Sequence, residues 1–339
     1  MALVVKRHSV FTIIIVSFFR CVILSYSVPA MQSQATKPSV VSSYSALTTA
    51  AMVWGGSVVA QKVALGPFSP VETSVFRGLG ALAILIPLWL WKEGGGKFSK
   101  KDWMMFSLLG LGVLGNHLLV LFGLQFIGAG AAGVIIGASP AITAFLSSLI
   151  LKDIPLGSIW LGCGVSFVGV VVVTGQQGMV GTGSNPLLGG LLVLLALVSW
   201  ALYTIGCRKT MAKFSPLTVT WVTLMISLFF EIPLLAVNHK LLLAGVETVP
   251  VSGWVALIYV MVFATALGQQ AWLYGVDGVG PSRAGIFGNL VPVSGLFFSF
   301  VILGEPVGVR EICGVGLILL GVWLVTRQAQ MTGAGSNTR

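Results

Sequence analysis

Stretches of about twenty apolar residues recur along nearly the whole of this 339-residue chain, and no other feature limits its fold as strongly. A helix of that length crosses the hydrocarbon core of a bilayer, because it rises 1.5 Å per residue against a thickness of about 30 Å. Water is absent there, so every backbone N–H and C=O must bond internally, which favours helices for spans of this length. Only 8% of the residues are charged, against about 25% in soluble domains. The reading is an all-α integral membrane protein. The formal net charge of +10 carries no nucleic-acid signal, because the basic residues sit mostly in short loops between apolar stretches. Cys21, Cys163, Cys207 and Cys313 lie inside apolar runs without paired spacing, so they read as small packing residues rather than a disulfide framework or zinc site.

Ten spans are expected, at 44–64, 70–91, 103–124, 129–151, 156–175, 186–207, 216–237, 253–275, 281–303 and 308–326. With the start of the first span inside, twelve Lys and Arg residues fall on the cytoplasmic side and three, Lys62, Lys240 and Arg310, on the other. Both termini are therefore expected in the cytoplasm of a cell bounded by this plasma or inner membrane. Residues 1–43 form a leader and cytoplasmic segment. Lys6 and Arg7 precede an apolar run ending at Ser27-Val28-Pro29-Ala30, which resembles a signal peptide. A cleaved signal would leave the new N-terminus outside, against the loop charges. Met31 is thus expected as the functional start, or the leader as an appendage.

The chain repeats itself. Residues 128–174 match 280–326 at 14 of 47 positions with an offset of 152. The matches fall on punctuation: Gly128/Gly280, Gly133/Gly285, Pro140/Pro292, Gly162/Gly314, Gly169/Gly321 and Thr174/Thr326. The earlier part repeats at an offset of 146, giving Trp54/Trp200, Lys62/Arg208, Ser69/Ser215 and Pro70/Pro216. The offset changes because the connection 238–252 is longer than its counterpart 92–102. Repeats at 44–175 and 186–327, followed by a cytoplasmic tail at 328–339, make two five-helix units. An odd number of spans per repeat inserts the second unit upside down, and inverted repeats place a transporter's site near mid-membrane between the halves. The paired prolines interrupt helix bonding, leaving the carbonyls of Ile136 and Gly288 free at the same depth. Pro140 and Pro292 are therefore read as hinge or cavity-lining positions.

Trp54-Gly55 in the first span, Ser69-Pro70 opening the second, Arg77 further along it, the run Gly128-Ala129-Gly130-Ala131-Ala132 and its central Pro140 form an ordered set. Together with the acid that follows, this set resembles the EamA-type transporters of the drug/metabolite transporter superfamily, over residues 44–327. The resemblance implies export or exchange of small metabolites, often amino acids, by alternating access through a central cavity without ATP. Two departures stand out. Asp153 is followed by Ile154 before Pro155, where the second copy has Glu305-Pro306, and Thr223 stands where Arg77 would recur.

Polar groups at membrane depth are costly and are functional candidates by default. Asn116 and His117 in span three, with Gln269 and Gln270 in span eight, form the main constellation, His117 and Gln269 being equivalent. An amide and an imidazole facing each other suit a zwitterionic or hydroxylated substrate. His117 is also the intramembrane group that titrates near neutrality, which would let it couple proton movement to transport. The alternative is a neutral histidine bridging two helices. Trp54, Trp200 and Tyr203 would supply stacking or cation–π contact, and Asn289 an amide near the second break. Trp89, Trp91, Trp103 and Trp254 sit at span ends and read as interfacial anchors. Of the buried charges, Lys62 and Glu72 flank one tight turn and can pair. Glu231 matches Arg77 in depth, and Arg77 is read as snorkelling to the outer surface.

No His-Glu-x-x-His, Gly-x-Ser-x-Gly or paired intramembrane aspartates are present, so an intramembrane enzyme is not indicated. A secondary transporter of small neutral or zwitterionic metabolites, amino acids first, is the expected function. A passive facilitator or an uptake carrier for nucleosides, sugars or drugs is the alternative. No cofactor or metal is expected beyond a proton or other ion gradient. The expected partners are substrate and lipid, with a homodimer possible and no nucleic acid.

Overall fold

A computed structural model describes residues 38–127, 132, 135–151, 157–178, 185–238, 241, 245–298 and 308–334. The leader, Asp153, Glu305 and most of the Gly128–Gly133 run lie outside the described residues, as does the side chain of Lys62. No strand occurs among those described. The helices are α1 (Val40–Ala64), α2 (Pro70–Glu93), α3 (Lys100–Phe126), α4 (Ser139–Leu151), α5 (Gly157–Gly178) and α6 (Pro186–Thr210). They continue with α7 (Pro216–Glu231), α8 (Val251–Tyr259), α9 (Gln269–Val279), α10 (Pro281–Gly285), α11 (Leu290–Phe298) and α12 (Val309–Ala334). Among the described residues, five stretches are long and apolar enough to cross a membrane: 70–93, 100–126, 187–210, 216–236 and 251–279. Shorter apolar helices accompany them. This is an integral membrane protein.

The local chemistry explains where helices begin. Ser69-Pro70 and Ser215-Pro216 each place a serine N-cap before a proline at the first helical position, where the missing N–H costs nothing. Ser69 Oγ accepts from the Glu72 N–H at 3.1 Å and Ser215 Oγ from Thr218 at 3.0 Å. Glu72 completes a capping box by accepting from the Ser69 N–H at 2.8 Å, and its other oxygen accepts from the Leu241 N–H, also at 2.8 Å. This buried carboxylate is therefore held by backbone donors at a helix N-terminus; the side chain of Lys62, its expected partner, lies outside the described residues.

Among the described residues, three departures from uniform α-helix border the space between the repeats. Around Pro140 the chain turns at Gly137–Ala138, with Ala138 N–H bonded to Ile135 O at 2.9 Å, three residues back. Before Pro292 the 3-10 turn Ile286–Asn289 separates α10 from α11. Both proline helices are thus broken at equivalent places, because proline removes the donor that would carry α-bonding through. The third departure is a π-helical segment, Val260–Gly268, joining α8 to α9 without a proline.

Packing between the repeats follows a two-fold-like exchange. α3 packs on α6 as α8 and α9 pack on α1, and α4 packs on α6 as α11 packs on α1. Helices α5 and α12 pack on each other, their glycines explaining part of the sequence match. A Cβ on Gly169 would lie 2.7 Å from Gly314 O and 2.8 Å from Ile318 N. One on Gly321 would lie 2.5 Å from Gly162 O and 2.8 Å from Ser166 N. Each glycine meets the equivalents of the residues its counterpart meets, and Ser166 Oγ donates to Ile318 O at 3.2 Å. Small residues here allow the backbone approach that associates membrane helices.

At one end, Lys213 Nζ lies 2.6 Å from Asp102 Oδ1, joining the start of α3 to the turn after α6. Beside it Trp89 is buried against Trp221 and Phe98 and donates to Thr218 Oγ1 at 2.9 Å. Trp89 is accordingly a packing residue and not the interfacial anchor expected from its position. Trp91, 79% exposed, suits that role. Cys163 and Cys207 are buried, whereas Cys313 is exposed, and all three are free.

Candidate functional site

A cavity of about 170 Å³ lies between the repeats, lined by α1, α2, α3, α6, the π-helical segment, α9 and the two broken helices. Its lining residues fall largely into equivalent pairs. Trp54 faces it with Trp200, His117 with Gln269, Val120 with Trp272, Ile136 with Gly288, and Ser139 with Val291. The positions just before each proline break therefore line the space, while Pro140 and Pro292 stand behind them. The remaining polar lining comes from the first repeat alone: Ser57, Gln61, Arg77 and Asn116.

Three indoles form one wall. Trp54 and Trp200 meet edge to face at 5.5 Å between centroids, and Trp272 lies 5.2 Å from Trp54 and 6.0 Å from Trp200. Trp54 Nε1 donates to Ala264 O at 2.9 Å, in the π-helical segment. Gly268 makes room for the ring, since a Cβ there would sit 2.8 Å from Trp54 Nε1. A π-helix shifts backbone bonding from i−4 to i−5 and bulges the chain, a distortion frequent at functional sites. Thr265 shows that shift in its own side chain, donating to Val260 O at 2.8 Å, five residues back.

Thr265 Oγ1 also accepts from Arg77 Nε at 3.0 Å. Arg77 is 8% exposed and faces the cavity, so it does not snorkel outward. Helices α2 and α7 do pack together, yet among the described residues Arg77 forms no ion pair with Glu231. Glu231 instead accepts from Ser227 Oγ at 2.7 Å. His117 is buried at the cavity wall and makes no hydrogen bond among the described residues, so no helix-bridging bond accounts for it there. Asn116 Nδ2 donates to Ala196 O at 3.1 Å, tying α3 to α6.

The other candidates sit behind this lining. Gln269 Nε2 donates to Tyr203 Oη at 3.3 Å, which lies 3.4 Å from Thr223 Oγ1, so Tyr203 braces Gln269 from outside the cavity. Gln270 faces α7: with its amide oriented to satisfy both ends, it accepts from the Leu217 N–H at 3.2 Å and donates to Thr220 Oγ1 at 3.0 Å. It thereby satisfies an orphan donor of a helix N-terminus. Asn289 is fully buried in the 3-10 turn, and neither end of its amide has a partner among the described residues. Ser57, Gln61 and Trp272 escaped the sequence reading although spacing marks them. Ser57 and Gln61 follow Trp54 by three and seven residues, and Trp272 follows Gln269 by three, the intervals that share a helix face.

Comparison with known proteins gives a consistent picture. The model of the EamA-like transporter family matches residues 41–175 and 187–327. The uncharacterized transporter YyaM of Bacillus subtilis (strain 168) is 31% identical over 265 residues, covering 77% of this chain and 86% of its own. A protein of Streptantibioticus cattleyicolor named as a probable terminal-alkyne amino-acid exporter is 25% identical over 84% of this chain and 93% of its own. A solved crystal structure, 18% identical, superposes with a TM-score of 0.71 over 84% of this chain and 98% of that one.

Proposed function

Because the chain belongs to the EamA-like transporter family, we propose that it is a secondary carrier of small neutral or zwitterionic metabolites, amino acids first, working by alternating access. The observation that carries this reading is the cavity itself. It is built from equivalent residues of both repeats, such as Trp54 with Trp200 and His117 with Gln269. A site shared across a two-fold-like axis can be uncovered from either side by the same motion applied to either repeat. Its volume of about 170 Å³ is below the roughly 300–1,000 Å³ of pockets for drug-sized ligands, which favours small metabolites. The similarity to a protein named as an amino-acid exporter supports the substrate class. In this scheme ten spans form two inverted repeats with both termini cytoplasmic, and the breaks at Gly137–Ala138 and Ile286–Asn289 bend as the cavity opens.

Counterflow in proteoliposomes with radiolabelled amino acids is the test. Trans-stimulated uptake is expected, whereas conductance without trans-stimulation would identify a passive facilitator. Replacing His117 with alanine should abolish uptake while leaving membrane insertion intact; wild-type uptake by that variant would remove His117 from the mechanism. Imposing a pH gradient checks the coupling proposed for His117, with acceleration by an inward or outward proton gradient as the expected result.

A further inference from the structure

A guanidinium inside a membrane protein needs a counter-charge, hydrogen-bond partners or water, since an unpaired charge at mid-span costs about 2.5–3.5 kcal/mol even on the insertion scale. Arg77 has one of its five donors satisfied, Nε on Thr265 Oγ1 at 3.0 Å. Its terminal NH₂ groups have no hydrogen-bond partner among the described residues, although Arg77 is buried and its side chain reaches the cavity. Glu231, on the neighbouring α7, accepts from Ser227 and makes no direct ion pair with Arg77 among the described residues.

We propose that Arg77 binds the carboxylate of the transported substrate, with the Trp54–Trp200–Trp272 wall receiving the rest of the molecule. This rests on the carrier reading above. The fork of a guanidinium matches a carboxylate in two parallel hydrogen bonds, and Thr265 fixes the Nε edge so that the terminal edge is the one presented. Geometry ties the two parts of the site together. Arg77 bonds Thr265 and Trp54 bonds Ala264, consecutive residues of the π-helical segment, so the charged end and the aromatic wall are neighbours. An α-ammonium then meets indole faces and the amide oxygens of neutral side chains such as Gln269. Thr223 stands at the equivalent of Arg77, so among the described lining residues Arg77 is the one Lys or Arg, which suits one carboxylate and leaves a phosphate dianion under-neutralised.

The decisive experiment measures binding of the standard amino acids to purified wild-type protein by thermal shift and calorimetry. Each amino acid that binds is compared with its carboxamide and its decarboxylated amine, and inorganic phosphate is run alongside. At least one amino acid should bind, and its amide and amine should bind at least tenfold more weakly. Arg77→Gln should erase that discrimination, and Arg77→Lys, which keeps charge without the fork, should lose at least tenfold in affinity for the acid. Equal binding of acid and amide, preference for phosphate, or no amino acid bound would each overturn the assignment. Should Arg77→Gln fail to fold, the acid, amide and amine series on wild-type protein still decides. Counterflow separates the two claims: a carried amine whose transport survives Arg77→Gln sinks the carboxylate site and leaves the carrier, while absence of counterflow for every compound sinks the carrier.

Discussion

Helix α3 and the segment from α8 to α9 hold equivalent places in the two repeats, yet one is continuous from Lys100 to Phe126 and the other passes through nine π-helical residues. Their burial patterns locate the difference. As far as Ala264, midway along the π-helical segment, the repeats align at an offset of 151, setting buried Phe106 on Leu257, Leu109 on Val260 and Val113 on Ala264. After it the offset is 152, setting His117 on Gln269 and Leu121 on Leu273. One extra residue has entered the second copy, and the wider π turn absorbs it without disturbing the core on either side. The bulge lies where Trp54 and Arg77 reach across from the first repeat. The repeat thus supplies a symmetric frame, and the chemistry sits in its exceptions. Polar lining without a counterpart comes from the first repeat, and the distorted backbone it meets comes from the second.

Removing the extra residue should break this comparison most severely. Deleting Val262, which is half-buried within the π-helical segment, restores the length of α3. A continuous helix would withdraw Ala264 O from Trp54 and Thr265 from Arg77, and counterflow should fall more than tenfold in protein that still inserts and purifies as a single species. Transport at the wild-type rate would make the insertion incidental.

The α5–α12 pair is the opposite case, where the repeats behave alike. Gly169→Ala and Gly321→Ala each force a methyl against backbone of the facing helix at under 3 Å. Overpacking of this kind costs about 1–3 kcal/mol. Both variants should lose several degrees in melting temperature, and by similar amounts. A loss confined to one of them would show that this interface does not follow the two-fold-like relation.

Legibility in the sequence followed the same division. The helical membrane class and the paired glycines and prolines could be read because period and punctuation survive duplication. The pairing of His117 with Gln269 and of Trp54 with Trp200 came from the offsets alone. What depends on which helices touch could not be read. Arg77 looks like a snorkelling residue until α2 is seen against the π-helical segment, and Trp89 looks like an anchor until it meets Trp221. Gln270 and Gln269 are adjacent, about 100° apart around a helix, so one lines the cavity while the other caps α7. The π-helical segment itself left no mark beyond a one-residue slip between two apolar alignments, too slight to register without burial.

The finest test of the asymmetry uses the one aromatic pair that is symmetric in position but not in bonding. Trp54 donates its indole N–H to Ala264 O, whereas Trp200 makes no hydrogen bond among the described residues and contacts Trp54, Tyr203 and Trp272 through its ring. Phenylalanine keeps an aromatic face and removes the N–H. Trp54→Phe removes the indole bond to Ala264 O, and a lost hydrogen bond of this sort costs about 1 kcal/mol, a factor of about five in half-saturation for counterflow. Trp200→Phe gives up only part of a ring contact and should change half-saturation less than twofold. If the two variants shift it equally, the bond to the π-helical segment contributes nothing to the site, and the two indoles are as equivalent in function as they are in sequence.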